Sequence, residues 1–184
     1  MGTILPIISD LGLSKSSTES TNDKEIYGIM PYVAPEILQG KIYTVASDIY
    51  SFGMIMWEFM TGRRPFWDKD HDAGLIINIC DGLRPPIVTN APESYIKLMQ
   101  ECWDSDPNKR PTATDISKRL NYMLSEEVNN PTEIIQSLDI GPITINHPGA
   151  IYSSRNLSSM IKSVISTIRT ISSRSTSGEH NMII

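Results

Sequence analysis

The run from Ser47 to Met60 constrains this fold more than any other part of the chain. It has helix length, stops at Thr61-Gly62 where a closing glycine belongs, and spreads Ile49, Phe52, Ile55, Met56, Phe59 and Met60 over a wide arc. A helix with one apolar stripe lies on a surface, whereas one that is apolar over much of its girth has to be enclosed by other elements. Further helices are therefore needed, and the chain offers them. Ala34 to Leu38 is a short one with Gly40 just beyond, Asp72 to Cys80 is closed by Gly82, and Glu93 to Trp103 follows a loop framed by Pro85-Pro86 and Pro92. A fifth opens at Thr112, with Asp115 three residues on as a weak capping-box match, and carries Ile116, Leu120, Met123 and Leu124 on one face. Ile4 to Ser9, apolar and partly β-branched, reads as a short buried strand ending at the Asp10-Leu11-Gly12 turn. The expected fold class is mainly α, with a short β remnant at the N-terminus.

Around this framework lie two polar regions. Leu13 to Tyr27 is rich in Ser, Thr, Asn, Asp and Glu and reads as a mobile surface segment. After about Leu124, Asn129-Asn130-Pro131, Gly141-Pro142 and His147-Pro148-Gly149 punctuate a stretch of weak periodicity before serines and threonines dominate. Residues 125–184 are accordingly expected to be a Ser/Thr-rich, partly disordered tail. Within it Leu157, Ile161, Val164, Ile168 and Ile171 recur at spacings of four and three, which suits an amphipathic helix over 157–171 that docks on the lobe, a partner or an anionic surface. Against that helix stand its β-branched residues and its short length.

The net charge of -5 and pI near 5.2 give no general electrostatic case for nucleic-acid binding. Cys80 and Cys102 lack metal-ligand spacing and read as reduced thiols of a cytoplasmic protein. No apolar stretch approaches the roughly 18 residues of a transmembrane segment. The first six residues resemble neither a secretory signal nor, with Pro6 where Ser or Thr is wanted, a myristoylation motif.

Three motifs occur in order: Ser9-Asp10-Leu11-Gly12-Leu13-Ser14, Pro31-Tyr32-Val33-Ala34-Pro35-Glu36 and Ser47-Asp48-Ile49-Tyr50-Ser51-Phe52-Gly53. With Trp57-Glu58, Thr61-Gly62-Arg63-Arg64-Pro65-Phe66 and Cys102-Trp103-Asp104-Ser105-Asp106-Pro107-Asn108-Lys109-Arg110-Pro111, they resemble the protein kinase family, in detail its tyrosine-kinase-like branch, over about Ile4 to Leu124. The resemblance implies a C-terminal helical lobe over residues 1–124, from the activation segment onward, with the N-terminal lobe absent. Asp10 matches the metal ligand that places Mg2+ against the ATP phosphates, Leu11 fills the slot of the usual Phe, and Gly12 lets the backbone swing.

Asp10 to Glu36 then resembles an activation segment, in which Ser14, Ser16, Ser17, Thr18, Ser20, Thr21 and Tyr27 are candidate phosphate acceptors and the sequence does not choose among them. Gly28, Pro31 and Tyr32 match substrate-positioning residues. Gly28-Ile29 stands where many serine/threonine kinases carry Gly-Thr, and Tyr32 leans toward serine/threonine specificity. Glu36 and Arg110 match an internal ion pair that pins this segment to the lobe; Asp48 matches a carboxylate that receives the catalytic-loop backbone, and Trp57 a structural position. None of the 184 residues supplies the glycine-rich loop, the strand lysine or the His-Arg-Asp loop with its catalytic base.

Two functions compete. In the first, the chain is a portion of an ATP-dependent kinase that transfers the γ-phosphoryl group to Ser or Thr of a protein substrate, Tyr not being excluded, and is inactive alone. In the second, it is a noncatalytic scaffold or interaction module that binds a partner protein through its helical lobe.

Overall fold

The computed structural model describes residues 25–87, 91–133, 135 and 137–177, with side chains through residue 167. The expected strand Ile4 to Ser9 lies outside the described residues. In chain order come strand β1 (Tyr27–Gly28), a 3-10 turn (Met30–Tyr32), and helices α1 (Pro35–Leu38), α2 (Val45–Thr61), α3 (Ala73–Cys80) and α4 (Glu93–Cys102). A second 3-10 turn (Pro107–Lys109), helix α5 (Ala113–Asn129), strand β2 (Arg155–Asn156) and helix α6 (Ser158–Ser177) follow. The two strands form one antiparallel pair, so the molecule is mainly helical with a small two-stranded sheet.

Helix α2 runs through the middle. Thr44 and Ser47 cap it reciprocally: the Ser47 amide donates to Thr44 Oγ1 at 3.4 Å and the Thr44 amide to Ser47 Oγ at 3.0 Å. This cap starts the helix at Val45, two residues ahead of the sequence expectation. Gly62, at φ 66°, ends it in the left-handed conformation that costs glycine nothing. Tyr50 and Met54 are fully buried, and Met56 and Trp57 nearly so. Gly53 lets α4 come close, since a Cβ there would sit 2.9 Å from Cys102 Cβ and 3.1 Å from the Trp103 amide nitrogen. Two aromatic polar tips are satisfied at this crossing: Trp57 Nε1 donates to Pro86 O at 2.6 Å and Tyr95 Oη to Met56 O at 2.9 Å.

The wide apolar arc expected of α2 is narrower than its composition suggests. Phe59 is 80% exposed and Ile55 37%, because these residues, one helical turn apart, share a strip that no described element covers. Leu124 is likewise exposed, on the outer side of an α5 that continues to Asn129, while Ile116 is its buried anchor.

Beyond α5 the chain returns to the lobe as an extended segment. Gly141 N donates to Thr61 O, His147 N to Trp67 O, and His71 N to Gly149 O at 2.9 Å. The β2 residues Asn156 and Arg155 face Tyr27 and Gly28. Leu157, Ile161 and Val164 then enter the core from the first half of α6, which packs on α3. Among the described residues no helix is long and apolar enough to cross a membrane.

Candidate functional site

Residues 26–36 form the most elaborately held segment of the surface. Ile26 and Met30 are buried, β1 carries the chain along the sheet, and Pro31 sits at the start of the 3-10 turn, where a missing amide hydrogen costs least. The turn closes through Tyr32 N to Ile29 O at 2.9 Å and Val33 N to Met30 O at 3.1 Å. A Cβ at Gly28 would lie 2.8 Å from Val33 Cγ2, so any larger residue there would have to displace the Val33 side chain. Below it, Ser51 Oγ on α2 donates to Tyr32 O at 2.7 Å. Tyr32 Oη donates to Glu58, also on α2; burial pushes the phenol pKa up and the Glu58 carboxylate adds to the rise.

The segment overhangs a shallow pocket of about 170 Å³ lined by Tyr27, Gly28, Tyr32, Tyr43, Ser47 and Asp48, among others. Tyr43 Oη donates to Tyr27 O at 3.1 Å and closes one side. Partial desolvation of the Asp48 carboxyl, which lines the pocket, raises its pKa above the ordinary value. The structure thus brings Tyr27, Gly28, Tyr32 and Asp48 together.

Glu36 and Arg110 meet beneath this segment. Arg110 Nη1 and Nη2 donate to Glu36 Oε1 and Oε2, each at 2.7 Å, with side chains 0% and 5% exposed respectively. Arg110 also donates from Nη1 to Ala46 O at 2.7 Å and from Nε to Asp104 O at 2.8 Å, so each nitrogen of the buried guanidinium has an acceptor. It stacks over the Tyr50 ring at 5.3 Å, with Arg84 also against that ring at 5.1 Å. One residue thereby ties α1, the start of α2 and the loop before α5. Trp57 stands apart from the pocket, in the core on the α4 side.

Asp10, Leu11, Gly12, Thr18 and Thr21 lie outside the described residues. No group of three or more His, Cys, Asp or Glu side chains suited to a metal ion occurs among the described residues. Reading the sequence singled out neither Glu58 as the partner of Tyr32, nor Tyr43 and Ser51 as pocket residues, nor the tail residues that cross this face. Ser51 and Glu58 belong to the Ser47–Gly53 and Trp57-Glu58 motifs and the 157–171 spacing marks the docking helix, so a signal exists for those; for Tyr43 and the stretch of tail ahead of that helix none does.

A helical lobe whose segment 26–36 is held against the central helix and locked by a buried carboxylate–guanidinium pair has the construction of a protein kinase C-terminal lobe. A model of the family described as "Protein tyrosine and serine/threonine kinase" matches residues 5–120. The chain is 39% identical over 125 residues to "Probable serine/threonine-protein kinase roco8" of Dictyostelium discoideum, covering 67% of this chain and 7% of that protein. It is 34% identical over 124 residues to "Mitogen-activated protein kinase kinase kinase 7" of Homo sapiens, covering 67% of this chain and 20% of that one. A solved structure, "Cryo-EM structure of the AtMLKL3 tetramer", shares 28% identity with a TM-score of 0.52, over 77% of this chain and 24% of that chain. The chain belongs to the protein kinase family, and its named relatives include serine/threonine kinases. It spans a fifth or less of the length of these two curated relatives.

Proposed function

We propose that this chain is the substrate-side portion of an ATP-dependent protein kinase that transfers the γ-phosphoryl group to Ser or Thr of a protein in the cytoplasm. The observation that carries this reading is the segment from Tyr27 to Glu36, folded over Asp48 and anchored from below by the buried Glu36–Arg110 pair. Phosphoryl transfer depends on holding the acceptor hydroxyl in line with the nucleotide, so a rigid platform is the part this lobe has to supply. In this reading Gly28, Pro31 and Tyr32 position the substrate chain, and Asp10 holds Mg2+ against the ATP phosphates. Phosphorylation within 14–27 orders the activation segment, residues 1–124 form the kinase portion, and 125–184 form a tail. Catalysis also needs a nucleotide-gripping loop, a strand lysine and a catalytic base, none of which the 184 residues provide.

The test uses Mg2+, γ-labelled ATP and casein. The 184-residue chain alone is expected to leave casein unlabelled. A chain that joins it to an upstream half bearing those three elements should label serine and threonine, and Asp10→Asn should abolish that labelling. Transfer by the 184 residues alone, or none by the joined chain, would refute the reading.

A second function, a noncatalytic docking module, is favoured by Ile55 and Phe59, apolar side chains one turn apart on α2 at 37% and 80% exposure. It predicts a stable complex with a partner protein that neither forms nor dissolves in response to Mg-ATP, lost on Phe59→Asp.

A further inference from the structure

We infer that the tail is an intramolecular latch: β2 occupies, in cis, the edge of β1 that an extended peptide of the protein substrate would have to use. This inference rests on the proposed function, because it concerns the same substrate-positioning segment.

A strand has two edges, and both edges of β1 are occupied. On one, Tyr27 O accepts the Tyr43 hydroxyl at the pocket. On the other lies β2, with Tyr27 opposite Asn156 and Gly28 opposite Arg155. The pairing is extended beyond the strands, since Leu157 N donates to Ile26 O at 2.7 Å and Ile26 N donates to Ser158 Oγ at 2.8 Å. Main-chain pairing of this kind is how extended peptides add to an exposed strand, so an incoming peptide and β2 compete for the same backbone groups.

A second set of contacts fastens the tail ahead of β2 to the stretch after α2. Tyr152, three residues before β2, donates its hydroxyl to Pro65 O at 2.9 Å, and the Arg64 guanidinium stacks 4.9 Å over its ring. Both lie near enough to Tyr32 to influence its phenol. His71 fastens the approach: Ile151 N donates to His71 Nδ1 at 3.0 Å, the imidazole packs edge-on against Tyr152 at 4.9 Å, and Arg155 donates to His71 O. Downstream, Leu157, Ile161 and Val164 are at most 2% exposed. At Gly40, φ 85°, an added Cβ would come within 3.2 Å of Ile165 Cδ1. The latch therefore has a helical anchor and a two-residue bolt, and the bolt is the part that is thinly held. Arg155 and Asn156 bury no apolar side chain, so the bolt can open while the anchor stays seated.

Two variants open the latch differently. Arg155→Pro removes a β2 amide hydrogen and the bond to His71 O but keeps the anchor; Leu157→Glu with Ile161→Glu expels the anchor. Circular dichroism melting first checks that each is folded. Hydrogen exchange at Gly28 is expected to quicken at least tenfold in either variant. A fluorescein-labelled synthetic peptide of residues 149–167 should bind the Leu157→Glu/Ile161→Glu chain at least tenfold more tightly than the unaltered chain. Unchanged exchange in a folded Arg155→Pro chain, or equal peptide binding to both chains, overturns the latch. In the joined kinase chain, Arg155→Pro should raise casein labelling several-fold. Faster exchange without faster labelling overturns the blocking role. No labelling from either joined chain, with the peptide still selective for the opened one, rejects the kinase reading while the latch stands.

Discussion

Arg110 shows what one buried charge commits a fold to. Its guanidinium is 0% exposed and bonded to Glu36, Ala46 and Asp104, so truncation leaves the Glu36 carboxylate buried without a partner. Removing one member of such a pair costs about 3–5 kcal/mol, a large part of the roughly 5–15 kcal/mol that holds a typical domain together. Arg110→Ala is expected to lower the urea midpoint sharply or to prevent soluble expression. Glu36→Leu/Arg110→Met, which removes both charges, should melt higher than Arg110→Ala, because no ion is left stranded. A folded Arg110→Ala chain with an unaltered melting temperature would contradict the buried pair. Both residues were legible as members of ordered motifs, but their surroundings were not. Nothing in the sequence around Arg110 announces that Ala46 O and Asp104 O complete its shell, since those acceptors are main-chain atoms available at any residue type.

At the scale of elements, the α2–α4 crossing is set by an absence. Gly53 sits mid-helix, where glycine costs about 1 kcal/mol relative to alanine, and close approach of α4 is the compensation. Gly53→Ala should therefore destabilise despite its better helix propensity, by about 1–3 kcal/mol, because the new methyl meets Cys102 Cβ and the Met99 and Trp103 backbone. Equilibrium urea unfolding gives the value, and a neutral or stabilising result would show that the helices can part without loss. Helix existence and order followed from periodicity and glycine stops, whereas two details did not. Thr44 caps α2 through Ser47 in place of the usual Glu or Gln, so the start of the helix was set two residues late. Periodicity also records which residues are apolar and not which side a neighbour covers, which is why Phe59 seemed a core residue and is solvent-facing. In α6 the spacing of Leu157, Ile161 and Val164 was visible, but their receiving surface on α3 lies some 80 residues away in sequence, beyond the reach of any local pattern.

For the molecule as a whole, core burial of neutral acids fixes the response to alkali. Burial pushes the Cys102 thiol from 9.0 up to about 12, and the Tyr50 and Tyr95 phenols from 10.0 up to about 12, with Arg84 and Arg110 partly offsetting the rise at Tyr50. Each group binds its proton more tightly in the folded chain, so the unfolded chain releases protons first and stability falls as pH rises through 9 to 12. Below pH 9 these contributions are complete. Burial raises the Cys80 thiol from 9.0 as well, so the melting temperature is expected to begin falling near pH 9, and Cys80→Ala with Cys102→Ala should delay that onset by about one unit, to where the phenols start to titrate. An unchanged onset in that variant would show that the thiols are not the first of these groups to ionise.

The bond from Ile26 to Ser158 spans 132 residues of sequence. Contacts at such separation demand the closure of most of the chain, and they form slowly relative to helices, whose bonds are local. During synthesis, residues 25–28 leave the ribosome more than a hundred codons before their partner strand exists. Until translation of this stretch is finished, β1 has no β2 to pair with, so the tail also acts as a clock that defers completion of this face until the lobe beneath it has had time to fold.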